Sequence, residues 1–202
     1  MANSSDVYVV DDDEAIRRSL SFLLRTAGLP SRTFDDAEAF LAEAPGLAPG
    51  CVITDVRMPG IDGIELVRRL SEQRLPLATI VITGHGDIAL AVEAMKGGAV
   101  DFLEKPFKEE VLLAAVQKAL NTETRDQQDE GDRQRYRAAF AGLSKREREV
   151  LEQVVVGKTS KVIAYDLGIS PRTVEVYRAG MMMKTGAKSL SELVRMALLA
   201  GL

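Results

Sequence analysis

Apolar residues in the first 120 positions come in short runs separated by longer periodic stretches. Val7 to Val10, Thr33-Phe34, Cys51 to Thr54, Ala78 to Thr83 and Val100 to Glu104 are the runs. They are too short for helices and rich in β-branched residues, so they predict five strands, the second one weak. Between them apolar residues recur at helical spacing. Ile16, Leu20, Leu23 and Leu24 mark one face, closed by Gly28-Leu29-Pro30. Asp36 caps a second helix with Ala37, Phe40 and Leu41 inward, and Gly63 to Gln73 carries Ile64, Leu66, Val67 and Leu70. Asp87 caps a fourth helix reaching about Lys96, which Gly97-Gly98 stops. A fifth starts near Lys108 and is amphipathic through Val111, Leu112, Ala115, Val116 and Leu120. Strict alternation of strand and helix predicts an α/β doubly wound, five-stranded parallel sheet with helices on both faces.

The pattern then changes. Residues 122–137 are polar, with Asp126-Gln127-Gln128-Asp129-Glu130-Gly131-Asp132 at the centre. This stretch reads as a helix extension or a flexible tether, not a buried segment. Tyr136, Phe140 and Leu143 open a second core. Ser144 with Glu147 spells a capping box, and Val150, Leu151, Val154 and Val155 line the helix behind it, which Gly157 ends. Thr159 or Ser160 caps a second helix bearing Val162, Ile163, Ala164 and Leu167. Gly168-Ile169-Ser170 turns the chain, Pro171 suits the first position of a third helix running past Val174, Val176 and Tyr177 to about Thr185, and a fourth spans Leu190 to Leu199. The unit is all-α with four helices. Two short helices around a Gly turn describe a helix-turn-helix, although an ordinary bundle shares the pattern. The domains are therefore placed at residues 6–122 and 139–202, with a linker at 123–138.

Charge sharpens this division. Residues 1–124 hold 12 Lys/Arg against 20 Asp/Glu, whereas residues 143–202 hold 10 against 6. The acidic and basic parts suit different partners, and nucleic acid suits the second. With 46% hydrophobic residues the chain has material for both cores. Its one cysteine, Cys51, stands at a strand start and reads as core. No basic-then-apolar leader opens the sequence and no apolar run approaches about 18 residues, so the expectation is a soluble cytoplasmic protein without membrane contact.

In such a sheet all strand carboxyl ends share one edge, where ligands bind. That edge collects Asp11, Asp12, Asp55, Thr83 and Lys105. Three carboxylates suit a hard divalent cation, Mg²⁺ above others, and would repel one another without it. Lys105 offers a point charge and Thr83 a hydroxyl to a phosphoryl group, and Asp55 can act as the nucleophile. The plainer reading makes Asp11 to Glu14 caps of the first helix and Asp55 a turn residue. His85, the only histidine, lies between two glycines and reads as a structural loop residue.

On Val9-Val10-Asp11-Asp12-Asp13, Asp55-Val56-Arg57-Met58-Pro59-Gly60, Ile82-Thr83-Gly84 and Lys105-Pro106-Phe107, residues 6 to about 122 resemble a response-regulator receiver domain. The resemblance implies a flavodoxin-like fold and phosphorylation of Asp55 by a sensor histidine kinase. It implies Mg²⁺ held by Asp11, Asp12, Asp55 and the Arg57 carbonyl, with Thr83 and Phe102 as switch residues. It also implies a homodimer formed on phosphorylation through residues 87–105. The fourth helix, Ile88 to Met95, is mostly apolar, as either a dimer face or plain core would be. The acyl phosphate would be lost by hydrolysis, with no separate substrate.

Leu143 to Leu151, Ile163 to Arg178 and Ala187 to Arg195 resemble the LuxR-type DNA-binding domain. With the receiver, that implies a phosphorylation-controlled transcription regulator acting on promoter DNA with RNA polymerase. With Ile82 to Asp87 and Glu93 to Phe102 added, the whole chain resembles the response regulators of nitrogen fixation, which implies nitrogen-fixation or oxygen-response genes as targets. The third helix would enter the major groove, with Thr173, Glu175, Val176 and Arg178 on or near DNA. Ser160, Lys161, Arg172 and Lys184 become phosphate-contact candidates. Leu193, Val194 and Ala197 would pair two such domains. The chain departs from the family pattern where Ser160 and Gly180 replace a frequent Asn, at Thr185 and Gly186, and in the run Met181-Met182-Met183. Those departures keep open a regulator that binds partner proteins through a degenerate helix-turn-helix. A phosphatase-like enzyme using Asp55 would need a substrate pocket or cap insertion, and the loops there are short.

Overall fold

The computed structural model describes residues 6–84 and 88–202, with backbone alone at 88, 122–130 and 191. These residues fall into two compact units, the first within Met1–Gly86 and Lys96–Thr122, the second within Asp87–Met95 and Glu123–Leu202.

The elements in chain order are β1 (Asp6–Val10), α1 (Glu14–Thr26), β2 (Ser31–Phe34), α2 (Ala37–Glu43), a 3₁₀ turn at Ala44–Gly46, β3 (Gly50–Asp55), α3 (Gly63–Glu72), β4 (Leu77–Thr83), α4 (Ile88–Gly97), β5 (Asp101–Glu104) and α5 (Glu109–Leu120). The five strands are parallel in the order β2-β1-β3-β4-β5. Side chains alternate across the sheet. Val7, Val9, Cys51 and Ile53 join Leu20, Leu24, Leu112 and Val116 of α1 and α5. Tyr8, Val10 and Val52 join Phe40, Leu66 and Leu70 of α2 and α3 on the other face. The doubly wound sheet expected from alternation is therefore present, with near-continuous apolar strands because both faces are covered. Cys51 is fully buried, and burial pushes its thiol up to about 12, so it is inert core. Val111 does not belong to the inner face of α5. It is exposed, while Leu112, Ala115 and Val116 point inward.

The second unit holds most of α6 (Thr122–Ala141), then α7 (Lys145–Val155), α8 (Ser160–Leu167), α9 (Pro171–Thr185) and α10 (Leu190–Ala200). The polar stretch after α5 is thus helical, and its last turns contribute Tyr136 and Phe140 to a core with Leu143, Val150, Val154, Ile163, Val174 and Met181. The predicted capping box is formed. Glu147 N–H donates to Ser144 Oγ at 3.3 Å, and Ser144 N–H to Glu147 Oε2 at 2.7 Å. Thr159 precedes the first turn of α8 without a side-chain cap bond. Gly168 closes α8 in the left-handed conformation, and Ser170 caps α9 ahead of Pro171. Leu193, Val194 and Ala197 are fully buried in this core, which corrects the expectation that they face a second copy. Val162 lies on the opposite side of α8 from Ile163 and Ala164 and is exposed.

Candidate functional site

The carboxyl ends of β1, β3, β4 and β5 place the candidate residues. Asp55 is the last residue of β3 and Thr83 the last of β4; Asp11 and Lys105 follow β1 and β5 directly. Asp11, Asp55 and Thr83 are buried. Lys105 Nζ donates to Asp55 Oδ1 at 2.7 Å and lies 3.5 Å from Asp11 Oδ2, so one ammonium serves two carboxylates. Asp55 Oδ2 accepts from the Arg57 N–H at 2.7 Å. Arg57 thus touches Asp55 through its amide, whereas the resemblance implied only its carbonyl.

Asp11 is held from both sides. Its Oδ1 accepts from the Asp13 N–H at 2.9 Å, and its carbonyl accepts from Arg17 Nη1 at 2.6 Å. Asp13 spends its own carboxylate on the Ala15 amide, capping α1, so the capping reading holds for that residue. Asp11 Oδ2 is buried and receives no hydrogen bond. Burial pushes the Asp11 carboxyl above its usual range. Asp55 and Asp12 push the same way, against the pull of the Asp13 amide and Lys105.

A buried carboxylate oxygen that receives no hydrogen bond, beside a second carboxylate, is what a divalent cation relieves, and Mg²⁺ often takes one or two carboxylates and keeps water in its remaining positions. The residues present fit that ion. Among the described residues, however, no three His, Cys, Asp or Glu side chains are gathered into a metal cluster. The structure brings Asp11 and Asp55 together and leaves Asp12 exposed at the rim.

Thr83 and Phe102 share a face of the sheet. Val81 pairs with Phe102 and Thr83 with Glu104, so residues 83 and 102 stand on the same side of the pleat. Phe102 is buried. His85 and Asp87 lie outside the described residues.

Sequence reasoning missed Arg17 and Gly63. Each carried a signal. A basic residue in the first turn of a helix opposes the macrodipole, so Arg17 needed a partner elsewhere. Gly at the start of α3 costs helix propensity, so Gly63 needed a steric reason.

The predicted DNA residues lie on α8 and α9. Lys161, Arg172, Glu175 and Val176 are exposed; Thr173 is half-buried and pairs its hydroxyl with Ser170 at 2.8 Å. Three others are already engaged within the unit. Arg178 Nη1 donates to Glu175 Oε1 at 2.8 Å and to Ser160 Oγ at 2.6 Å, and Ser160 Oγ donates to Glu175 Oε1 at 2.5 Å. Lys184 Nζ donates to Glu147 Oε2 at 2.7 Å. Ser160 and Lys184 each have a partner within the unit, and the Lys184 side chain stays 45% exposed.

Two family models match the chain. Residues 7–117 match the response regulator receiver domain, and residues 141–197 match the bacterial regulatory proteins of the luxR family. The chain is 52% identical over 202 residues to the transcriptional regulatory protein FixJ of Bradyrhizobium diazoefficiens, covering 100% of this chain and 98% of that one. It is 55% identical over 201 residues to FixJ of Azorhizobium caulinodans, covering 100% and 95%. Among solved structures, full-length FixJ from B. japonicum is similar with a TM-score of 0.58 and 53% identity, over 98% of this chain and 97% of that one.

Proposed function

Since this chain belongs to the response regulators of the FixJ type, which join a receiver to a LuxR-type DNA-binding domain and regulate transcription under phosphorylation control, we propose that Asp55 is its phosphoryl acceptor. The observation that carries the reading is the single Lys105 ammonium reaching both Asp55 and Asp11 at the sheet edge. In the reaction an Asp55 carboxylate oxygen attacks the phosphorus of a phosphohistidine on a sensor kinase. The P–N bond breaks and its electron pair leaves with the imidazole. The Arg57 amide keeps the carboxylate oriented. Lys105 moves from the carboxylate to the new phosphoryl oxygens, which carry more charge. Asp11 and Asp55, with Asp12 at the rim and the Arg57 carbonyl, would hold Mg²⁺, which offsets phosphoryl charge. The acyl phosphate is later lost to water, so the protein modifies itself and acts on no separate substrate.

Thr83 then turns its hydroxyl to the phosphoryl group and Phe102, on the same sheet face, follows into the space released. That change biases residues 87–105 toward a homodimer, which presents two α9 helices to two half-sites. The domains are taken as residues 6–122 and 139–202 with 123–138 between them, and Lys161, Arg172, Thr173, Glu175 and Val176 as the residues nearest DNA. RNA polymerase is the further partner, and nitrogen-fixation genes are the pathway that the likeness to FixJ supports. Among the described residues no helix is long and apolar enough to cross a membrane.

The test is sedimentation and duplex binding of the full chain with Mg²⁺ and a small acyl phosphate donor, beside Asp55→Asn. Donor-dependent dimers and DNA binding, both absent in the variant, are expected. Dimers without DNA binding would favour the protein-interaction reading, and a response unchanged in Asp55→Asn would remove Asp55 from the switch.

A further inference from the structure

The outward face of α9 is unlike that of a basic helix. Arg172, Glu175, Val176, Ala179 and Met183 recur at spacings of three and four and are all exposed, so they form one stripe. Only the first is a cation. Val176 is 64% exposed and Met183 82%, so two large apolar side chains stand in water along the helix. The other cations of α9 point elsewhere. The Arg178 side chain is only 16% exposed and is held by Glu175 and Ser160, while Lys184 is held by Glu147. The Glu175 side chain is 57% exposed. Both bonds it accepts end on Oε1, which leaves Oε2 to accept from outside.

We propose that α9 reads DNA through thymine methyl groups and one cytosine. Val176, Ala179 and Met183 take the methyls, and Glu175 accepts from the cytosine amino group. Arg178 is then a positioning residue that holds Glu175, not a reader of guanine. The assignment rests on the reading of α9 as the helix that enters the major groove. On that groove's floor the C5-methyl of thymine is the apolar group, and the N4 amine of cytosine is a donor that a carboxylate matches. A lone carboxylate would be repelled by the phosphates, but Arg178 and Ser160 offset its charge and fix its rotamer. Attraction to the phosphates comes from outside the stripe's centre. Lys161 and Arg172 are exposed, and residues 143–202 hold 10 Lys/Arg against 6 Asp/Glu.

The experiment selects a duplex from a random-sequence pool with the full chain, Mg²⁺ and a small acyl phosphate donor. The selected duplex is then remade with uracil in place of thymine, one position at a time. This alters DNA alone, so folding of a protein variant cannot confound it. Uracil is expected to weaken binding about fourfold at each read position, the effect of one buried methyl, with the salt dependence unchanged. Glu175→Gln and Arg178→Ala are expected to lose the same cytosine preference, by about tenfold, and to keep the thymine preferences. A duplex that tolerates uracil everywhere, or a guanine preference that Arg178→Ala erases, overturns the assignment. So does a salt slope that falls by about one in Arg178→Ala, because that places Arg178 on a phosphate. Selection of no duplex by the phosphorylated chain sinks the DNA-binding reading itself, and this assignment with it.

Discussion

Gly63 lies against the backbone carbonyl of Asp55, so closely that a Cβ at residue 63 would overlap that oxygen and come within 3.1 Å of the Val56 Cα. The Gly63 N–H also donates to the Val56 carbonyl at 2.9 Å. The start of α3 is therefore a wall behind Asp55, and glycine is what lets the wall stand there. Gly63→Ala should shift Asp55 relative to Lys105 and cost about 1–3 kcal/mol of stability. Its phosphorylation by an acyl phosphate donor should slow by about tenfold or more, since small misplacements weigh heavily on transfer. Melting temperature and phosphoryl incorporation measure both. A variant that melts and reacts like the parent would mean that the contact relaxes at no cost.

Lys105 separates two buried carboxylates that otherwise face each other. Lys105→Met should lower stability without divalent cation by about 1–3 kcal/mol, the range for leaving buried polar groups uncompensated. Mg²⁺ should then restore more stability to the variant than it adds to the parent, because the cation takes over the work of the ammonium. Thermal melts with Mg²⁺ or with chelator test this. If Mg²⁺ raises the melting temperature of neither protein, Asp11 and Asp55 do not form a cation site. Adding Asp11→Asn to Lys105→Met should return stability in chelator by removing one of the two charges.

Much of this site was legible because a parallel sheet turns strand ends into addresses. Once Val52-Ile53 reads as a strand followed by Pro59-Gly60, Asp55 must stand at the edge, and the same holds for Asp11, Thr83 and Lys105. What pattern could not supply was the use each polar group makes of its neighbours. Asp11, Asp12 and Asp13 are alike in sequence, yet one is buried, one is exposed at the rim and one caps α1. Backbone geometry over two residues decides that, and composition does not record it. The same limit applies on α9. Arg178 lies on α9, the helix expected to meet DNA, but the 3.6-residue period turns its side chain toward Ser160 and the inner edge of Glu175 instead of outward beside Val176. Val111 failed for the opposite reason. An apolar residue adjacent to the core face was counted into it, although one step along a helix rotates a side chain by about 100°. Leu193, Val194 and Ala197 were given to a partner when their own unit needed them as core.

Gly180 was a departure without an explanation in sequence, and α7 supplies one. A Cβ at residue 180 would lie 3.3 Å from Glu147 Oε1, tighter than ordinary contact. Replacing Gly by Ala inside a helix usually gains about 1 kcal/mol. Gly180→Ala should gain markedly less here, because the Glu147 carboxylate must give way. In a Glu147→Ala background the full gain should return. A double-mutant cycle by denaturant unfolding should thus find a coupling of about 0.5 kcal/mol or more. Additive effects would show that the space beside Gly180 is incidental.

Glu147 also predicts how acid acts on the helical unit. Its Oε2 accepts from both Lys184 Nζ and the Ser144 N–H at 2.7 Å, tying the first turn of α7 to the end of α9. Lys184, and then the Ser144 amide, lower its carboxyl from an ordinary value near 4.5 to about 2. The folded chain therefore takes its proton at lower pH than the unfolded chain does. The stabilisation is fully present above about pH 4.5 and is lost as pH falls toward 2. Because the Lys184 side chain is 45% exposed, solvent screens the pair, and the contribution at neutral pH should be about 1 kcal/mol. Glu147→Gln keeps the capping geometry and removes the charge. The stability difference between parent and Glu147→Gln, measured by urea unfolding from pH 7 down to 2, should be constant above pH 4.5 and shrink steadily below it. Lys184→Met should shrink the same difference at pH 7. A difference that stays constant across the whole range would mean that Glu147 acts as a neutral cap and that its charge contributes nothing.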